Sequence, residues 1–133
     1  MENTKTPDWQ EFHKEGKRYL QIVQNSVKKE NSFSPEILYN LSCMSIEKLF
    51  MSYFLKVKKM PMNHTLIDLV DSMKALDTVP SELENNLLYM NSFQEICSID
   101  LYQRKIPSEN DLQQFITTLE QTNKYIQELL KTA

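Results

Sequence analysis

Residues 37–57 read ILYNLSCMSIEKLFMSYFLKV, and fourteen of these 21 residues are apolar. Placed on a 3.6-residue helix they fall on every side of the cylinder, which is the pattern of a helix buried all round. The start is signed by Ser34 as N-cap, Pro35 at the first helical position and Glu36 beside the positive end of the dipole. At about 1.5 Å per residue the stretch is roughly 30 Å long, enough for a small domain or for the hydrocarbon of a bilayer. Asn40, Glu47, Lys48 and Lys56 interrupt it, and charges at mid-span are costly in lipid. The expectation is therefore a central helix wrapped by other helices, with no membrane span.

Composition supports that reading. The chain has 133 residues, one domain by length, and only one glycine and five prolines. Sheets and loops consume glycine, whereas long helices with short links do not. Upstream, residues 1–5 are polar and expected to fray, and Thr6, Pro7 and Asp8 mark a helix start. Trp9, Phe12, Gly16, Tyr19, Leu20, Val23 and Val27 then follow at spacings of three and four, one apolar stripe. Gly16 lies within it, so a neighbour is expected to approach closely there.

Downstream, the run Lys58-Lys59-Met60-Pro61-Met62 is a break. Asn63 or His64 is expected to open a short helix bearing Leu66, Leu69, Val70 and Met73. From Pro80 and Ser81 a long helix is predicted through Leu83, Leu87, Met90, Cys97 and Leu101, ended by Ile106-Pro107. Ser108 and Asp111 resemble a capping box, and Leu112 to Leu130 carry the inner face of a last helix. The predicted fold is all-α: an up-and-down four-helix bundle with one additional short helix, spanning residues 1–133 as a single domain.

Few chemistries fit. A single glycine excludes a Walker loop or a dinucleotide fingerprint. Cys43 and Cys97 are far apart, with no Cys-x-x-Cys pair, and no Glu-x-x-His pair offers a di-iron site. No cofactor and no metal is expected. Both cysteines read as buried, reduced thiols of an intracellular protein, and the absence of an apolar leader points to the cytoplasm. The net charge of −3 makes no general case for nucleic acid, and the clusters Lys14/Lys17/Arg18, Lys28/Lys29 and Lys56/Lys58/Lys59 read as solvated helix surface. His13 and His64 read as structural or exposed residues. Glu47 and Lys48 are the anomaly of the central helix. They lie either at the margin of a less buried face or in a polar pocket or subunit interface.

The order of elements resembles the HEPN domain, the helical bundle of prokaryotic toxin–antitoxin and defence systems. The residues that carry this are Ser45-Ile46-Glu47-Lys48-Leu49 in the central helix, His64-Thr65-Leu66 at the short one, and Tyr102-Gln103-Arg104-Lys105-Ile106-Pro107 before the last. These are similar to the family's Gln-Ala-x-Glu-Lys, His-x-Leu and Arg-Tyr-Pro segments. The resemblance implies a homodimer, and in catalytic members a metal-independent ribonuclease using an Arg followed four to six residues later by a His. Neither Arg104 nor Arg18 is so followed, and no histidine occurs after His64. A non-enzymatic member is therefore expected, one that binds nucleotide or RNA or partners a small nucleotidyltransferase, with Glu47, Lys48 and Arg104 as candidates for a polar cleft. The alternatives are a degenerate ribonuclease using Arg104 with Tyr102 or Glu109, and a generic helical adaptor.

Overall fold

The computed structural model describes residues 8–28, 33–93 and 106–133. Among them the chain forms five helices and no strand: α1 (Trp9–Lys28), α2 (Pro35–Val57), α3 (Leu66–Lys74), α4 (Ser81–Asn91) and α5 (Glu109–Thr132). The all-helical bundle predicted from the sequence is present. α2 starts where Ser34 and Pro35 place it, with Ser34 Oγ accepting from the Ile37 N–H at 3.3 Å. It ends at Lys58, in the left-handed region at φ 61°, whose N–H returns to the Leu55 carbonyl.

Three boundaries differ from expectation. α1 begins at Trp9 with Asp8 as the capping carboxylate, its Oδ1 accepting from the Gln10 N–H at 3.2 Å; Thr6 and Pro7 lie outside the described residues. α3 is capped by Thr65 rather than opened by Asn63 or His64, because the Thr65 hydroxyl accepts from the Asp68 N–H at 3.2 Å. α4 closes at Asn91, well short of Leu101. The N–H groups of Ser92 and Phe93 return to the Leu88, Tyr89 and Met90 carbonyls, and Ser92 Oγ donates to the Tyr89 carbonyl, tightening the last turn. Residues 94–105, with Cys97 and Leu101, lie outside the described residues.

α2 is the centre. Ile46, Leu49, Phe50 and Phe54 are fully buried, and Leu38, Tyr39, Met51 and Tyr53 nearly so. Its buried serines are satisfied without breaking the helix: Ser42 Oγ donates to the Leu38 carbonyl, Ser52 Oγ to that of Leu49, and Ser45 Oγ crosses to the Gly16 carbonyl at 2.7 Å. Lys56 joins three helices at one end of the bundle. Its Nζ donates to the Leu130 carbonyl of α5 at 2.7 Å and sits 4.6 Å from the centre of the Trp9 ring of α1. The start of α1 thus meets the ends of α2 and α5. At the opposite end Tyr39 packs on Phe93 and Phe115, both at 5.3 Å between ring centres, and donates to the Met90 carbonyl at 2.6 Å. These contacts run α1 antiparallel to α2 and α5, with α4 antiparallel to both α2 and α5.

Gly16 lets α1 and α2 meet. A Cβ built on it would lie 2.8 Å from Leu49 Cγ and 3.2 Å from the Leu49 backbone nitrogen, and Leu49 has no exposed surface to retreat into. In a free helix Gly16→Ala would gain about 1 kcal/mol. Here overpacking of about 1–3 kcal/mol opposes it. The variant is expected to be less stable than wild type, read as a lower urea midpoint at unchanged slope.

Candidate functional site

Adjacent helical residues point about 100° apart, and α2 uses this to send Glu47 and Lys48 to different neighbours. Glu47 reaches the start of α3, where its Oε2 lies 2.6 Å from His64 Nδ1. Lys48 reaches α1, where its Nζ lies 2.8 Å from Glu15 Oε1 and 4.6 Å from the centre of the Phe12 ring. Both side chains are partly exposed, at 39% and 30%. The structure places them on the two margins of α2, each in an ion pair or hydrogen bond of its own. Arg104 lies outside the described residues, as does Tyr102.

His64 is the site residue that sequence reasoning passed over. The Glu-Lys and His-x-Leu segments both stood in the sequence, but nothing in the spacing indicated that the 58–65 connection folds back on α2. With a carboxylate on Nδ1, the ring is half exposed and its Nε2 makes no hydrogen bond among the described residues. A carboxylate held on Nδ1 in this way orients the imidazole and leaves its Nε2 edge facing outward, an arrangement used for proton transfer.

One turn before Glu47, the Cys43 thiol lies beside the Tyr39 hydroxyl. Burial pushes the thiol up to about 12, and the Glu47 charge adds to this while the Tyr39 contact opposes it. Burial likewise raises Tyr39, with Cys43 adding to it. At neutral pH both stay protonated, so Cys43 is a packed thiol rather than a nucleophile. Close by, the buried Asn91 side chain of α4 accepts from the Ile67 N–H at 3.1 Å, fastening α4 to the first turn of α3. Among the described residues no group of three or more His, Cys, Asp or Glu is placed to hold a metal ion.

On α1, His13 lies beside Trp9, Lys14 and Lys17 along an open groove. Burial first and Lys17 second hold its ring below the ordinary value, and its Nε2 is buried without a partner.

Two measurements follow from these groups. In a Cys97→Ser background, Cys43 is expected to alkylate at pH 8 about a thousandfold more slowly than an ordinary thiol, since thiolate falls tenfold per pH unit below the pKa. Full reactivity should return in denaturant. His13 is neutral in the fold and protonates more readily once unfolded, so its contribution is complete above about pH 6.5 and shrinks as the pH falls below that. His13→Gln should therefore flatten the loss of urea midpoint between pH 7.5 and 5.5.

No protein-family model matches the chain, and no curated protein does. A solved structure does: the crystal structure of ST0689, an archaeal HEPN homologue, superposes with a TM-score of 0.69 over 92% of this chain and 98% of that one, at 13% identity. At that identity the likeness concerns the fold, and it agrees with the residues that carried the resemblance in the sequence. This chain folds as a HEPN-like helical bundle.

Proposed function

We propose that this chain is a non-enzymatic HEPN-like binding and regulatory module that works as a homodimer in the cytoplasm. The observation that carries the dimer is the uncovered strip on its most apolar helix. Ile37 and Met44 of α2 are 46% and 40% exposed, Leu41 between them is half-buried, and Phe33 before the helix is exposed as well. A helix with so little polar surface gains by burying this strip against a second copy, and a two-fold interface can be built from one self-complementary patch. The margins bearing Glu47 and Lys48, together with Arg104, are the surfaces offered to nucleotide or RNA, or to a small nucleotidyltransferase partner.

The non-catalytic part rests on the sequence: neither arginine is followed four to six residues later by a histidine. A second reading has one observation in its favour, the Glu47–His64 contact. An imidazole held by a carboxylate is a competent general base, and a degenerate ribonuclease could use it in place of the family's motif.

Light scattering at micromolar concentration is expected to give twice the 15.8 kDa chain mass. The double variant Ile37→Glu/Met44→Glu should give the single mass with its helical circular dichroism retained. A wild-type monomer would overturn the proposal. Incubation with total RNA is expected to leave it intact. Cleavage that disappears in His64→Ala would establish the second reading instead.

A further inference from the structure

We propose that the outer face of α1 binds the phosphate backbone of a single-stranded nucleic acid. This goes beyond the homodimeric module, which stands whether or not α1 holds a strand. From its sequence alone the Lys14/Lys17/Arg18 cluster is solvated helix surface. The structure adds two facts.

The first is segregation of charge. On α1, positions 10, 14, 17, 18, 21, 25 and 28 fall within an arc of roughly 100°. They carry Lys14, Lys17, Arg18 and Lys28 with Gln10, Gln21 and Asn25, and no carboxylate. All are exposed except Lys17, which is partly so. Of the two acidic residues of α1, Glu11 lies just beyond the edge of the arc, and Glu15 is paired with Lys48 of α2, with the Arg18 charge acting on it more weakly. From α5, Glu120 faces α1 and accepts from the Gln24 side chain at 2.8 Å. None of the four cations forms an ion pair among the described residues. From Gln10 to Lys28 the stripe is roughly 27 Å long at ~1.5 Å per residue, long enough to follow several nucleotides.

The second fact is shape. Trp9, His13, Lys14, Lys17 and Arg18 line an open groove of about 610 Å³ with two glutamines. Cations beside aromatic rings are what a single strand needs: charge for its phosphates and a ring for an unpaired base, whereas a duplex offers no free base face.

The test is titration of the purified full chain with a fluorescein-labelled 20-nucleotide oligouridylate, read by anisotropy between 25 and 200 mM salt. Quenching of Trp9, the chain's single tryptophan, is read in parallel with unlabelled oligomer. Wild type should bind with a steep salt dependence and quench. The variant Lys14→Ala/Lys17→Ala/Arg18→Ala should keep its circular dichroism and its light-scattering mass. It should lose about tenfold or more in affinity at low salt, and its salt slope should shrink by about 2, at ~0.7 per phosphate contact. The control Lys58→Ala/Lys59→Ala, on the α2–α3 connection, should bind like wild type. The proposal is overturned by absence of wild-type binding, by a triple variant with the wild-type slope, or by a control that loses as much. It is overturned too if uridine monophosphate quenches Trp9 as well as the oligomer does, which would make the groove a mononucleotide site.

Discussion

A helix with apolar side chains around its whole circumference can exist in water only if something covers each side of it. α2 is such a helix, and the bundle covers all of it but the strip of Ile37, Leu41 and Met44: α1 on one flank, α5 along another, α3 at its far margin and the end of α4 against Tyr39. The closest of these seats is the α1 contact. There a missing side chain at Gly16 admits Leu49, and Ser45 closes the gap with a hydrogen bond to the Gly16 carbonyl. With α1 held so near, Lys48 can reach Glu15 and Phe12, and Lys56 can reach Trp9.

This geometry explains why the two charges of the central helix are tolerated. Neither Glu47 nor Lys48 is buried with its charge unmet. Each leaves α2 at the seam where a neighbouring helix ends its coverage, and each finds an opposite or polar group there. Their separation also divides the molecule's polar chemistry in two. One seam carries Glu47, His64 and the Asn91–Ile67 tie; the other carries Lys48, Glu15 and Phe12.

Much of this was legible in the residues. The Ser34-Pro35 start, the burial of residues 37–57, the α1 stripe with its glycine, and the Ser108–Asp111 contact, in which Asp111 Oδ2 accepts from the Ser108 N–H at 2.9 Å, could each be read locally, because each depends on neighbours within a turn or two. What could not be read is which of several competing local contacts wins, and which distant group a side chain then meets. The apolar spacing past Met90 suits a helix, yet the end of α4 is set by carbonyls that Ser92 and Phe93 turn back to meet. Thr65 outcompetes His64 as the cap because its hydroxyl fits the Asp68 N–H, and this frees the imidazole for Glu47, seventeen residues earlier.

Lys56 gives the bundle an unusual economy at one end. A single ammonium group is shared between the ring of Trp9, which opens α1, and the carbonyl of Leu130, which belongs to the last turns of α5. Two helix extremities that would otherwise fray independently are thereby clasped by one side chain, and loosening either weakens the hold on the other. Residues more than a hundred positions apart are thus joined through one ammonium group.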